Sequence, residues 1–409
     1  MKSLERIVGA AKNFGRAALL AGSLAVSSIT GCFDESDGYE PIDVAAENWS
    51  SGLEAFEIDD SYGRASIAVN TQAEPLIVYP GGEEGVCCAE VQGGSWVKSV
   101  VDSCRGYDIY GIGENPRGSG KYNSIVVSPS GIAHVCYCVN TWYRGEGLDY
   151  ANNSGDPWDS LNIDGSLSVG LENDIALDSR GNVHISYWSW ERAALKYITN
   201  DSGAWAIESI SSATWDKTSI AIDSQDNVHI AFMIHEITYH ITNSSGSWER
   251  KQVHSSANPE ILVDSGDVLH IFSNDGHSVY HSINQNGSWA TNEIISHNPD
   301  FLPRELNLSG AIANDDSLLV SYVVSQESVD YPYVGSLYFA TNKDGSWQRF
   351  LLDETPEYIR PSIAVDNEGN AHISVVRSLA QDNNIVKYVK FNPQLLLDNK
   401  SHGKNGETK

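Results

Sequence analysis

The stretch Ser219-Ile-Ala-Ile-Asp-Ser-Gln-Asp-Asn-Val-His229-Ile-Ala-Phe232 decides the fold, because close variants of it recur along the whole chain. Apolar residues alternate at both of its ends, which predicts two short strands, and the Asp- and Asn-rich middle predicts the turn between them. Repeats spaced by about 40–60 residues indicate a repeat architecture. Seven segments of this kind begin at Ser66, Ser124, Asp174, Ser219, Glu260, Ser309 and Ser362.

A second segment follows each first one, as in Leu337-Tyr-Phe-Ala-Thr-Asn-Lys-Asp-Gly345-Ser-Trp347-Gln-Arg-Phe-Leu-Leu352. It predicts another strand, turn and strand, with a positive φ at the turn glycine. Each unit therefore holds four strands, here named A to D. Seven four-stranded units predict an all-β, seven-bladed β-propeller that forms one domain over residues 49–393. The turn glycines are Gly94, Gly155, Gly203, Gly246, Gly287 and Gly345.

The tryptophans predict how the ring closes. One Trp opens strand D in each of the first six units, at Trp96, Trp158, Trp205, Trp248, Trp289 and Trp347. The seventh unit has strands A, B and C but no Trp after them, whereas a segment resembling strand D, beginning at Trp49, precedes the first unit. The N-terminal strand is therefore predicted to complete blade 7, which also covers an exposed sheet edge. Residues 394–409 are polar and are predicted to be a loose tail.

The composition excludes several partners. The 409 residues contain 26 Lys and Arg against 54 Asp and Glu, a net charge of −28, so nucleic acid is not expected as a partner. The chain contains no phosphate-binding loop, dinucleotide fingerprint, zinc-protease motif or EF-hand loop. We therefore expect no cofactor and no metal.

The N-terminus predicts export. Lys2, Arg6, Lys12 and Arg16 precede a short apolar run over residues 17–29, which is too short to span a bilayer. The run ends in Ile29-Thr30-Gly31-Cys32, which resembles the lipobox of bacterial lipoproteins. The resemblance implies that residues 1–31 are a signal peptide, that Cys32 is lipidated and anchors the chain to a membrane, and that residues 32–48 are an acidic tether. Because the next residue is Phe33, the sorting rule of such lipoproteins favours the outer membrane or cell surface. No other segment is apolar and long enough for a transmembrane helix.

The segment Thr341-Asn-Lys-Asp344-Gly345-Ser-Trp347 resembles the Asp-box, or BNR, turn of sialidase-like propellers. The copies are degenerate, since most lack the Asp. That family contains sialidases, polysaccharide lyases, lectins and non-catalytic surface proteins. The turn is structural in all of them, so the resemblance implies a propeller and an extracellular context, without an activity.

Five His recur at one position of strand B, namely His134, His184, His229, His270 and His372. They lie in five separate blades and cannot converge on one ion. We therefore predict that they are structural and hydrogen-bonded between blades. The Asp of the A–B turn is likewise predicted to be a turn residue.

Four tryptophans outside the repeat predict a binding site. Trp142, Trp188, Trp190 and Trp215 fall in B–C and D–A loops, which share one face of a propeller, over blades 2 to 4. Aromatic rings beside polar groups suit sugars, whose C–H faces are apolar and whose hydroxyls need hydrogen bonds. Alternatively, these aromatics cap the blade ends. The polar neighbours in the predicted site are Tyr143, Arg144, Arg192 and His235.

Catalysis has weaker support. A sialidase needs three Arg around a carboxylate; Arg64, Arg304 and Arg360 lie in D–A loops, but no spacing specifies a triad. A polysaccharide lyase needs a His or Tyr base and a cation. The loop residues and His254 are of these types, but no sequence motif assigns them this role. We predict a lipid-anchored cell-surface protein that binds a glycan without catalysis. The alternatives are an exported polysaccharide lyase or glycoside hydrolase, and an envelope protein-interaction scaffold.

The remaining cysteines all fall in blades 1 and 2. In an oxidising compartment disulfides are expected, and their odd number leaves at least one thiol over. The candidates are Cys87, Cys88, Cys104, Cys136 and Cys138.

Overall fold

Each sequence repeat folds as a four-stranded antiparallel sheet in the computed structural model of the chain. The structure describes residues 54–61, 63–92, 95–103, 119–141, 144–155, 158–212, 217–285, 287–296, 303–326, 334–353, 358–379 and 383–403. Within these ranges the seven sheets are the blades of a β-propeller, as predicted.

The strands of blades 1 to 3 follow the chain in the order A to D. Blade 1 contains β2 (Ser66–Val69), β3 (Pro75–Pro80), β4 (Val86–Gln92) and β5 (Ser95–Asp102). Blade 2 contains β6 (Ser119–Val127), β7 (Ala133–Thr141), β8 (Arg144–Asn152) and β9 (Asp159–Asp164). Blade 3 contains β10 (Leu171–Leu177), β11 (Val183–Ser189), β12 (Ala194–Thr199) and β13 (Ala206–Ser212).

Blades 4 to 6 repeat this order. Blade 4 contains β14 (Ser219–Ile222), β15 (Val228–Ile234), β16 (Ile237–Thr242) and β17 (Glu249–His254). Blade 5 contains β18 (Ala257–Val263), β19 (Leu269–Asn274), β20 (Ser278–Gln285) and β21 (Ser288–Ser296). Blade 6 contains β22 (Pro303–Ile312), β23 (Leu318–Gln326), β24 (Val334–Thr341) and β25 (Gln348–Asp353).

Blade 7 closes the ring with strands from both ends of the chain. It contains β26 (Tyr358–Val365), β27 (Ala371–Leu379), β28 (Asn383–Phe391) and, as strand D, β1 (Glu54–Ser61). The pairing of β1 with β28 is antiparallel and runs from Glu54 opposite Lys390 to Ser61 opposite Asn384. The predicted closure is confirmed, although Trp49, which suggested it, lies outside the described residues.

Each strand-B His is fixed within its own blade. In blade 7 the His372 Nε2 lies 3.0 Å from a carboxylate oxygen of Asp366 in the A–B turn, and its Nδ1 accepts from the Tyr388 hydroxyl on strand C at 2.8 Å. Blade 4 has the same arrangement with His240 in place of the tyrosine. The predicted structural role is therefore correct, but these hydrogen bonds lie inside one blade, because the partners are on strand C and, in blades 4, 5 and 7, also in the A–B turn of the same sheet.

The strand-D tryptophans join neighbouring blades. All six are half-buried, and five of them pack on the strand-C ring of the preceding blade, with ring centroids 5.1–5.9 Å apart. The glycines before Trp205, Trp248, Trp289 and Trp347 have φ of +80° to +84°, as the turn prediction required. The pairs are Trp96–Tyr388, Trp205–Tyr150, Trp248–Tyr197, Trp289–His240 and Trp347–His281.

The cysteines of the described residues are buried thiols, which corrects the disulfide prediction. Cys88 packs in the apolar core between blades 1 and 2. Cys136 lies 3.2 Å from the side-chain oxygen of Asn173 in blade 3, and Cys138 lies 3.4 Å from the Val169 carbonyl. Cys87 and Cys88 face different neighbouring blades, whereas Cys136 and Cys138 share the face of β7 toward blade 3, where each thiol has its own oxygen acceptor. Cys104 lies outside the described residues, as does Cys32.

The C-terminal segment differs from the predicted loose tail. Residues Pro393–Gly403 form a helix, α1. Its Leu396 and Leu397 are buried in the core of blades 6 and 7, beside Phe350 and Phe391. Three consecutive leucines, Leu395 to Leu397, in an otherwise polar segment were too short a pattern to predict this contact. Within the described part of the chain, no helix is long and apolar enough to cross a membrane.

Candidate functional site

The inner strands bring one residue from each blade to the propeller axis. This residue stands two positions before the start of each sequence repeat, at the D–A loop end of strand A. We name the set the axial ring: Arg64, Tyr122, Glu172, Lys217, Asn258, Asn307 and Arg360.

Hydrogen bonds from one inner strand to the next hold the axial ring in place. In four blades the residue that starts the repeat accepts from a backbone N–H of the following blade, as Asp174 does from Ile220 at 2.9 Å. Ser362 of blade 7 accepts in the same way from Ile67 of blade 1, so the pattern continues across the closure. The recurring polar residue of the sequence repeat thus joins neighbouring inner strands, as an acceptor in these four blades and as a donor at Ser66 and Ser124.

β-Bulges turn several ring residues toward the axis. The strand pairing shifts register between Leu171 and Asp174, and again at the equivalent places in blades 5 and 7. At each bulge one ring residue has a left-handed backbone, with φ of +45° at Glu172, +51° at Asn258 and +46° at Arg360. Such backbones are unfavourable for residues with a Cβ and are concentrated at functional sites in proteins.

An ion triad spans the axis between three blades. Arg64 donates to one oxygen of Glu172 at 2.6 Å, and Arg360 donates to the other at 3.3 Å. The Glu172 side chain is only 8% exposed. Burial alone would raise the pKa of Glu172, but the two guanidinium groups outweigh it and lower the pKa. Glu172 is therefore ionised at neutral pH.

A second ion pair lies beside the triad. Lys217 donates to Glu260 and also to the Leu308 carbonyl, at 3.1 Å for the latter. Burial raises the pKa of Glu260, and Lys217 offsets this only in part. Glu172 and Glu260 thus lie in one site with pKa values shifted in opposite directions.

A polar cleft opens from the axial ring over blades 4 to 6. Its volume is about 540 Å³, and it shares Glu172, Asn258, Asn307 and Arg360 with the axial ring, which lines the channel at the propeller axis. Glu236, Asn274 and Asp275 complete its polar wall from the B–C loops of blades 4 and 5. Amide, carboxylate and guanidinium groups together offer both donors and acceptors to a ligand with many hydroxyls. No cluster of His, Cys, Asp and Glu among the described residues is arranged to hold a metal ion.

The predicted tryptophan cluster is only partly accounted for. Trp188 is 3% exposed and belongs to the blade core, so it cannot stack on a sugar. Trp190 is 55% exposed and lies edge-on to Trp188, with ring centroids 5.3 Å apart. Arg192 and His235 are exposed on the same face. Trp142, Tyr143 and Trp215 lie outside the described residues, as does the side chain of Arg144.

The sequence prediction missed most of this site. Arg64 and Arg360 do converge, but their shared partner is the carboxylate of Glu172 and not that of a ligand. The side chain of Arg304 lies outside the described part of the structure. A signal was present, because the position two residues before each repeat start carries a charge in four units where no strand or turn needs one.

Comparisons with known proteins add no functional assignment. No protein-family model matches the chain, and no curated protein matches it. Among solved structures, it is similar to a protein of unknown function from Dyadobacter fermentans, with 8% identity, coverage of 84% of this chain and 100% of that chain, and a TM-score of 0.48.

Two further similar structures belong to a lectin and a trans-sialidase. A lectin from Aleuria aurantia in complex with alpha-methyl-L-fucoside is 14% identical over 75% of this chain and 97% of that chain, with a TM-score of 0.45. An intramolecular trans-sialidase from Ruminococcus gnavus is 9% identical over 83% of this chain and 97% of that chain, with a TM-score of 0.40. At these values the likeness does not carry a ligand or a reaction over to this chain.

Proposed function

We propose that the protein is a lipid-anchored cell-surface protein that binds a glycan, without chemical conversion, in the polar cleft beside the axial ring. The observation that carries the proposal is the cleft itself, which places Asn, Asp, Glu and Arg side chains from several blades around about 540 Å³. Binding sites for small ligands have volumes of roughly 300–1,000 Å³ and a few convergent polar groups. The lipid anchor rests on the lipobox-like segment that ends at Cys32.

An exposed aromatic ring on the same face supports a sugar as the ligand. The Trp190 backbone N–H donates to the Ser168 carbonyl at 2.9 Å, which ties the B–C loop of blade 3 to the preceding D–A loop. Its indole is more than half exposed. An exposed indole held in this way offers an apolar surface for the C–H face of a pyranose.

A glycan array tests the proposal. The chain from Ser36 onward omits the lipidation site and retains every described strand. We expect it to bind a limited set of oligosaccharides, and Arg360→Ala to reduce that binding at least ~tenfold, since a charge-assisted hydrogen bond is lost. Arg180→Ala is the matched control, because Arg180 is an exposed Arg in the A–B turn on the opposite face. Absence of any bound glycan would contradict the proposal and favour a protein-interaction scaffold.

One observation supports an enzyme as a second candidate. The raised pKa of Glu260, beside the lowered pKa of Glu172, is the kind of separation that general acid catalysis uses. A glycoside hydrolase or lyase would release shorter products from the glycans that the array identifies. Product formation that Glu260→Gln abolishes would establish catalysis, whereas unchanged glycans after prolonged incubation would support binding alone.

A further inference from the structure

We propose that Glu172 is a specificity-determining residue that restricts the cleft to uncharged saccharides, because it already neutralises the arginine pair that a ligand carboxylate would otherwise bind. This inference rests on the proposed function and names the class of ligand. Its basis is the geometry of the ion triad and the charge balance of the channel.

Glu172 occupies the position that a ligand carboxylate would take between the two arginines. Each of its oxygens accepts from a different guanidinium group, one on blade 1 and one on blade 7. Arginine pairs of this kind bind carboxylates through paired charge-assisted hydrogen bonds. Here the carboxylate belongs to the chain and is 8% exposed, so it is part of the fold.

The backbone fixes this internal carboxylate in place. Glu172 and Arg360 both have left-handed φ values in bulged inner strands. A residue with a Cβ keeps such a backbone only where the surrounding structure holds it. The backbone therefore fixes the positions of both Glu172 and Arg360, so their ion pair does not rely on two flexible side chains alone.

The described part of the channel has no excess of positive charge. Its cations are Arg64, Lys217 and Arg360, and its carboxylates are Glu172, Asp174 and Glu260. The adjoining cleft adds Glu236 and Asp275. An anionic sugar entering this cleft would meet balanced charge at the axis and negative charge at the rim, on a chain whose net charge is −28.

Displacement of Glu172 by a ligand carboxylate is unfavourable. A buried carboxylate that loses its partners leaves an uncompensated charge in a medium of low polarity. A sugar hydroxyl needs a hydrogen-bond partner but no oppositely charged group, so it can bind in the cleft while the Arg64–Glu172–Arg360 triad stays intact. The cleft therefore discriminates by charge while still accepting hydroxyl-rich ligands.

The test compares neutral and uronate-bearing oligosaccharides on one array. We expect the wild-type chain from Ser36 to bind neutral members and no carboxylated ones. Glu172→Gln retains the size of the side chain and removes its charge, so it should raise binding of at least one carboxylated member ~tenfold or more. Glu249→Gln is the matched control, because it removes the same charge from an exposed strand-D position near the opposite face.

The possible outcomes separate this inference from the proposed function. If the wild-type protein binds carboxylated glycans as strongly as their neutral counterparts, the inference is overturned but glycan binding stands. This comparison does not require the variant to fold. A folded Glu172→Gln that gains no carboxylated ligand would also overturn it. If no glycan binds wild type, the proposed function fails. In that case, thermal stabilisation of Glu172→Gln by glucuronate over glucose, absent in wild type, still supports the charge argument, and no such difference overturns it.

Discussion

Replacement of His240 by tyrosine should make the protein more resistant to acid. His240 lies on strand C of blade 4, where its Nε2 is 3.1 Å from Nδ1 of His229. In blades 2, 3 and 7 a tyrosine occupies this position, and its hydroxyl lies 2.6–2.8 Å from the strand-B His. His240→Tyr therefore gives blade 4 a pair that the chain already uses three times.

The magnitude follows from the pKa of His240. Burial, with help from His229 and Lys251, lowers this pKa from 6.5 to about 3. Between these two values the unfolded chain binds more protons than the folded one, so stability falls as the pH drops below 6.5 and stops falling near pH 3. At a pH of about 4.5 the loss from this one side chain is ~3 kcal/mol.

The assay is urea unfolding at pH 7 and at a pH of about 4.5; the carboxylates are the same in both proteins, so their protonation cancels in the comparison. We expect His240→Tyr to change the free energy of unfolding at pH 7 by about 1 kcal/mol or less. At the lower pH the variant should keep ~3 kcal/mol of unfolding free energy that the parent loses. His235→Tyr, at an exposed position, is the control and should behave like the parent. If His240→Tyr loses as much stability on acidification as the parent, the attribution to buried histidine is wrong.

Three further predictions concern the site, the closure and the anchor. Trp190→Ala should weaken glycan binding ~tenfold with little change in the urea midpoint, whereas Trp248→Ala, which removes a half-buried inter-blade contact, should cost ~2 kcal/mol of stability; the reverse ranking would contradict both assignments. Deletion of residues 1–61 removes β1 and leaves the edge of β28 unpaired, so calorimetry should show lost cooperativity or aggregation, and a melt like the parent's would show that closure is dispensable. Cys32→Ala should leave the protein unprocessed or absent from the membrane fraction, and unchanged membrane attachment would refute lipidation.

The axial site was beyond prediction because its members are far apart in sequence. Arg64 and Arg360 lie 108 and 188 residues from Glu172, and they meet only because seven inner strands converge on one axis. Burial was equally hard to predict. Trp188 is in β11 and buried, whereas Trp190 lies just beyond the end of that strand and is exposed, and the sequence pattern does not locate a strand end to within two residues.

The sequence by itself determined the blades and their closure. Strand alternation with period two, the turn residues and the tryptophan spacing are local signals, and local backbone chemistry is enough to translate them into seven four-stranded sheets. Even the exchange of a strand between the chain ends was visible, as a Trp missing from one end and present at the other. Only the tertiary structure decided which side chains share the axis, because ring closure sets those distances and local periodicity contains no information about them.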